Sequence, residues 1–387
     1  MVGFYRDTWV EVNLDHIAAN VRSMKAWLRD DVEIMAVVKA NAYGHGDYHV
    51  AETALQAGAT QLATAFFDEA LSLRQRGINA PILVLGVIRP EEAKLASLYN
   101  ITVTVADHEW LSKATEYLDG NSLSIHLKLD TGMGRLGLRS REEVIKVLES
   151  LTVHTNIKLE GAFTHYATAD EPNNKYFHEQ SARFTEMLAW LPTRPAVIHC
   201  ANSATALRDD GGLYNMIRLG IVMYGLSPSE EMKGLLPFKL QTAFSLYSKL
   251  VHVKKVKAGD KISYGATYTA NEDEWIGTVP IGYADGWLRK MQGFSVVVAD
   301  RPAPIVGRVC MDQCMIKLPQ NLPIGTKVTL ISNDEKSPSY VDEVAKHLDT
   351  INYEIPCSIS FRVPRMFFRN MSIMDVSNPI LEKNNDF

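Results

Sequence analysis

The stretch EIMAVVKANAYGHG, residues 33–46, decides the fold. It opens as an apolar run, which suits a strand covered on both faces, and then breaks into a lysine, a tyrosine and two glycines. An ammonium at the tip of a buried strand is costly unless it has a partner or a task. The same pattern, an apolar strand ending in polar chemistry, recurs down the chain at 61–66, 82–86, 101–105, 124–130, 158–164, 196–200 and 216–220. Helical spacing fills the intervals at 47–58, 67–76, 90–99, 107–118, 141–150, 174–190 and near 203–208. Pro90 in a first turn, Asp107 as a cap, and Ser140 with Glu143 as a capping box mark helix starts. Eight strands alternating with helices over about 200 residues predict a (β/α)8 TIM-like barrel, with a doubly wound sheet as the competing architecture.

On the N-terminal side, TWVEV (8–12) reads as a strand, and Asn13 caps a helix whose Leu14, Ile17, Val21, Met24 and Leu28 share one face. On the C-terminal side the texture changes near 235–240. FSLYSKLVHVKKV, WIGTVPIGYA, FSVVVA, PAPIVGRVCMDQCMIKL and KVTLI read as strands, and only VDEVAKHLD is plainly helical. The expected division is a barrel over 1–237, whose strand 8–12 can join the other domain, and a smaller, mostly β domain over 238–387 ending in a frayed tail, LEKNNDF.

The whole 387-residue chain is 46% hydrophobic and 22% charged, with net charge −5, which is the balance of an ordinary globular protein. No concentrated basic face is present, so nucleic acid is not an expected partner. No apolar run reaches the length of a membrane span, and the expected setting is cytoplasmic, without a membrane. Cys200, Cys310, Cys314 and Cys357 lack metal-ligand spacing, so they are expected to be buried free thiols and no metal is expected.

Barrel enzymes place their chemistry at the carboxyl ends of the strands. Taken in order, those ends carry Lys39, then Lys128 and Asp130, then His165, then His199 with Asn202 and Ser203, then Arg218 with Gly220 and Ile221. So many cations without matching acids point to a bound anion, and the last loop fits a phosphate. A lysine among other cations in a desolvated pocket loses its proton more easily and becomes a nucleophilic amine, which is suited to Schiff-base chemistry. His165 and His199 can equally be satisfied core histidines, and Ser203 can simply cap a short helix.

The motifs AVVKANAYGHG, HLKLDTGMGRLG, GAFTHYATAD, HCANSA, RLGIVMYGLSP, SYGATYTA, PIGYADG, GRVCMDQ and YEI occur in this order along nearly the full chain. Together they resemble the bacterial alanine racemases, fold type III enzymes dependent on pyridoxal 5'-phosphate. The resemblance implies a head-to-tail homodimer acting on a small amino acid. Lys39 would hold the cofactor as a Schiff base and serve as one catalytic base, with Tyr264 of the second subunit as the other. Tyr43, Asn202, Ser203, Gly220, Ile221 and Tyr353 would bind the cofactor, chiefly its phosphate, and Arg218 would face the pyridine nitrogen. Arg135 and the Met311 backbone would serve the substrate carboxylate and the cofactor's phenolic oxygen. His165 would bond Tyr264, while Tyr283 and Asp170 would line the substrate's way in. Lys128, seven residues before Arg135, would carry a carbamate that holds that arginine.

Inverting a Cα needs a proton taken from one face and another delivered to the opposite face, and a phenol with its usual pKa near 10 needs nearby cations to take part. An arginine opposite the ring nitrogen only donates, so the electron sink is weaker than one backed by a carboxylate. The same residues leave open a broader racemase, acting for instance on serine, because a methyl and a hydroxymethyl differ by only about 1–3 kcal/mol in such a pocket. A barrel decarboxylase is the more distant alternative; its members use an acid at the ring nitrogen.

Overall fold

A computed structural model describes residues 3–208 and 212–382. The chain forms two compact bodies. One comprises residues 18–42 and 47–240; the other comprises 1–17, 43–46 and 241–387.

The first body is a parallel barrel. After β1 (Thr8–Asn13), which belongs to the other body, its strands are β2 (Glu33–Val37), β3 (Gln61–Thr64), β4 (Ile82–Val84), β5 (Ile101–Val105), β6 (Leu123–Lys128), β7 (Ile157–Phe163), β8 (Val197–His199) and β9 (Met216–Leu219). Each pairs in parallel with the next from β2 to β8, and β9 returns to β2 with Met35 opposite Arg218. The expected eight strands are all present. β2 ends at Val37, two residues earlier than anticipated, because the chain turns sharply at Lys39.

Between β8 and β9 the ladder gives way to a seam. The Ile198 N–H donates to Asn215 Oδ1 at 2.8 Å, Asn215 Nδ2 donates to the Ala196 carbonyl at 2.6 Å, and the Arg218 N–H donates to the Ala201 carbonyl at 2.9 Å. A single asparagine therefore satisfies backbone groups that strand pairing would otherwise claim. The Tyr224 hydroxyl, fully buried, donates to the Val37 carbonyl at 2.8 Å and ties the segment after β9 to the end of β2.

Helix starts follow the sequence signals. Asp107 Oδ1 accepts from the Trp110 N–H, Ser140 and Glu143 form a reciprocal capping box, and Asn13 Oδ1 accepts from the N–H groups of Asp15 and His16. The anticipated helix 90–99 is split: Pro90–Glu92 forms a 3-10 turn and Ala93–Leu98 the α-helix, since proline fixes the first turn without an amide donor.

The second body is built on a seven-stranded sheet in the order Arg301–Pro304, Ser295–Val298, Lys327–Ile331, Phe244–Lys249, β1, Arg365–Arg369, Ser372–Ser377. β1 lies inside it, antiparallel to 244–249 and parallel to 365–369. A three-stranded sheet joins His252–Val256, Glu274–Val279 and Cys314–Leu318. The run FSLYSKLVHVKKV, expected as one strand region, is thus two strands in two sheets, broken at Leu250, whose side chain is fully buried. Besides Val341–Leu348, short helices occur at Glu354–Ser358 and Pro379–Glu382, both with proline in or at the first turns, a position it tolerates. Of the tail expected to fray, 381 and 382 are helical, and 383–387 lie outside the described residues.

The four thiols are free, as anticipated, but only Cys200 and Cys314 are buried; Cys310 is half-buried and Cys357 exposed, the latter near the end of its short helix.

Candidate active site

Lys39 begins a left-handed turn. Ala40, Asn41 and Ala42 sit at φ/ψ near +53°/+50°, and Tyr43 follows at φ +53°. Such a run of non-glycine residues costs about 1–2 kcal/mol per residue, so the surroundings must hold it. The Ala42 N–H donates to the Val38 carbonyl at 2.9 Å, and the Ala40 N–H donates to Glu69 Oε1 at 2.6 Å. Asn41 Oδ1 accepts from the Asp47 N–H at 3.0 Å. The turn leaves Lys39 half-buried at the carboxyl end of β2, where the sequence placed it.

At the end of β9, Arg218 is only 4% exposed, and among the described residues no carboxylate pairs with it. Its Nη1 donates to His199 Nδ1 at 2.8 Å and to the His199 carbonyl at 2.9 Å. Its Nη2 donates to the carbonyls of Thr164 and Cys200 at 2.8 and 3.0 Å and to His165 Nδ1 at 3.1 Å. A guanidinium cannot accept, so both imidazoles present lone pairs at Nδ1 and carry their proton at Nε2. His199 Nε2 then donates to His126 Nδ1 at 2.9 Å. The His126 ring lies over Gly161, where a Cβ would stand 2.6 Å from it. Burial, reinforced by the Arg218 charge, depresses all three imidazoles, His126 to about 3; burial also draws Arg218 down to about 10. His199 is a link in this chain, with both ring nitrogens satisfied.

Lys128, at the end of β6, is 4% exposed, with Nζ 4.5 Å from the centroid of the Phe163 ring, which also stacks on His199. Burial and the charges of Arg218 and Arg135 hold its ammonium well below the usual range, against a smaller opposing effect of Asp130. Asp130 is turned elsewhere, accepting from the N–H groups of Gly132 and Gly134 at 3.1 and 3.0 Å. Arg135 is exposed on the same loop.

Asn202, not Ser203, caps the helix Ser203–Leu207: its Oδ1 accepts from the Thr205 N–H at 2.9 Å. Ser203 is the first helical residue, and its Oγ accepts from the Gly220 N–H at 2.9 Å, joining two of the expected phosphate ligands beside Ile221. Asp170 lies on the loop after β7 that also carries His165, and its carbonyl accepts from Ser229 Oγ at 3.1 Å.

In the second body Tyr43 and Tyr353 pair with ring centroids 6.2 Å apart, and burial and the Cys357 thiol push the Tyr43 phenol up. Tyr264 is 67% exposed on a tight turn between Ser263 (φ +67°) and Gly265 (φ +71°). Ser263 Oγ bonds the Arg308 carbonyl and lies 3.6 Å from Cys310 Sγ. The N–H groups of Tyr283 and Ala284 in turn donate to the carbonyls of Cys310 and Met311, both at 3.0 Å. Tyr264, Tyr283 and Met311, far apart in sequence, thus form one exposed patch, and Asp312 beside them pairs with Arg362 at 2.8 Å.

His126 and Glu69 were not singled out from sequence. His126 is two residues before Lys128 on one strand, so the alternation of side chains places both on the same face, which is the signal that could have found it.

A cofactor ring nitrogen fits this site. All four Nη hydrogens of Arg218 face wall acceptors, whereas its Nε–H has no hydrogen-bond partner among the described residues. The one unengaged donor of an otherwise saturated guanidinium is available to an acceptor from a bound group.

Two family models match in order: "Alanine racemase, N-terminal domain" over residues 12–228 and "Alanine racemase, C-terminal domain" over 243–367. The alanine racemase of Geobacillus kaustophilus is 58% identical over 378 residues, 97% of this chain and 98% of that protein. That of Geobacillus stearothermophilus is 58% identical over 381 residues, 98% of each. A crystal structure of alanine racemase from Bacillus anthracis with bound L-Ala-P is 51% identical and matches with a TM-score of 0.96 over 98% of this chain and all of that one. Fold and site define a racemase of amino acids built on a parallel barrel with an attached β-domain. The chain belongs to the alanine racemase family.

Proposed function

We propose that the chain interconverts L-alanine and D-alanine by a two-base mechanism, supplying D-alanine for peptidoglycan in the cytoplasm. It works as a head-to-tail homodimer in which Lys39 of one copy and Tyr264 of the other meet opposite faces of one Cα. The observation that carries this reading is the unengaged Nε–H of a deeply buried Arg218. Pyridoxal phosphate, when bound, supplies the electron sink that makes an alanine Cα–H acidic enough for a side-chain base.

The chain's own residues do the rest. Lys39 would hold the cofactor through its amine and would take or return a proton at one face of the substrate Cα. Tyr264 does so on the other. Arg218 would donate to the ring nitrogen, and because it keeps its proton it would leave the sink weaker than a carboxylate would, favouring reprotonation at Cα over transamination. His165, whose Nδ1 accepts from Arg218, offers its Nε2–H to the phenolic oxygen of Tyr264. Tyr43, Asn202, Ser203, Gly220, Ile221 and Tyr353 hold the phosphate end. Arg135 and the Met311 backbone receive the substrate carboxylate and the cofactor's phenolic oxygen, and Tyr283 and Asp170 border the passage inward. Lys128, whose burial favours the neutral amine, is suited to take up carbon dioxide as a carbamate and so anchor Arg135.

Incubation with L-alanine in deuterated water tests the proposal. The wild type should yield D-alanine labelled at Cα, while Lys39→Ala and Tyr264→Phe should each lose racemisation by about 10² or more. Wild-type protein that leaves alanine unlabelled and L would refute it.

A further inference from the structure

We propose that Glu69 is a positioning residue for Lys39: its carboxylate locks the left-handed turn in which Lys39 is rooted. This rests on the reading of Lys39 as the lysine that holds the cofactor. The Ala40 N–H is the first peptide donor after Lys39. It receives Glu69 Oε1 at 2.6 Å, while the other oxygen, Oε2, accepts from the N–H groups of Ala65 and Phe66 at 2.8 and 3.1 Å. Those last two donors lie at the start of the helix Phe67–Gln75, where the positive end of the helix dipole favours a carboxylate.

A glutamate at this position that merely capped its own helix would need only the Ala65 and Phe66 amides. The bond to Ala40 reaches from the first turn of the helix after β3 to the end of β2, and it grips one side of a turn that Asn41 and Asp47 grip on the other. Asp47 is itself held by Arg76 at 3.1 Å. Alanine has no intrinsic reason to adopt φ +53°, so the conformation at Ala40 depends on these outside bonds. Removing the carboxylate frees the turn to relax toward ordinary backbone, and the Cα of Lys39 swings with it. A misplacement of about 1 Å at a reacting group can cost a hundredfold in rate.

The test uses the full-length holoenzyme as Glu69→Ala, Glu69→Gln and the double variant Glu69→Ala/Ala40→Gly. Glu69→Ala should lower kcat by about tenfold or more with a much smaller change in KM for L-alanine, diminish the visible circular dichroism of the bound cofactor, and speed amide hydrogen exchange across residues 38–43. Glu69→Gln, keeping one acceptor oxygen, should fall between. Glycine adopts the left-handed region without penalty, so Ala40→Gly in the Glu69→Ala background should recover at least about threefold in kcat and restore the dichroism. No recovery would make Glu69 a helix cap alone and overturn the inference, as would a Glu69→Ala enzyme equal to wild type in all three readouts. A wild type without racemase activity overturns the reading of Lys39 as well, which separates the two failures. If Glu69→Ala does not fold, exchange at 38–43 in Glu69→Gln decides: unchanged exchange overturns the proposal.

Discussion

Acid should unfold the barrel from within, because its centre holds three imidazoles that the fold keeps neutral. In the unfolded chain histidine ionises near 6.5; in the fold His126 is pushed down to about 3 by burial and by Arg218, and His165 and His199 are likewise lowered. Above about pH 6.5 neither state of His126 binds the proton, so its contribution to stability is complete. As pH falls below that value only the unfolded state takes the proton, and stability drops by about 1.4 kcal/mol per pH unit per histidine until the folded pKa is reached. By about pH 5 the loss is about 2 kcal/mol for His126 alone, and His165 and His199, lowered by the same causes, add to it in the same direction. The loss is reversible on raising the pH. Urea unfolding followed at several pH values measures the slope, and carbon-13 labelled imidazoles report each ring directly. An imidazole among these three that titrates near 6.5 in the folded protein, or a stability independent of pH between about 7 and 5, would refute the hydrogen-bond assignment built on Arg218.

Gly137→Ala should destabilise far more than Gly134→Ala. Both glycines have positive φ, but only at Gly137 would the new Cβ stand 2.8 Å from the Asp130 nitrogen and 3.0 Å from Lys128 Cγ, so urea midpoints should separate the variants by at least about 1–3 kcal/mol. Arg218→Glu should raise transamination relative to racemisation, measured as the partition ratio on L-alanine; an unchanged ratio is evidence against the weak-sink argument. Lys128 should show a carbamate resonance when the protein is equilibrated with carbon-13 bicarbonate, and a bare amine under those conditions would exclude the modification.

The barrel was legible because each strand is a short apolar run between recognisable caps, and local chemistry fixes both. His165, Ser203 and Arg218 were legible as polar residues at strand ends, and Gly220 as part of the loop after the last strand. The left-handed turn was not: alanine twice in ANAY carries no sign of positive φ, and the bonds that impose it come from Glu69 and Asp47, distant in sequence or outside the motif. His126 escaped because a histidine inside SIHLKL reads as part of an apolar strand. That β1 can join the second body was legible; its neighbours in the seven-stranded sheet, 244–249 and 365–369, lie more than 200 residues away, and periodicity does not report which they are.

The seam between β8 and β9 has a bearing on biosynthesis. β9 closes the ring against β2 and carries Arg218, so the clamp on His199, His165 and the three carbonyls exists only once residue 219 has emerged and docked. Until then a nascent chain holds Lys39 and both histidines without the guanidinium that orders them. The hydrogen-bonded clamp is completed by the same stroke that shuts the cylinder, and a ribosome-bound fragment ending before β9 has the imidazoles but not the guanidinium that fixes their tautomers.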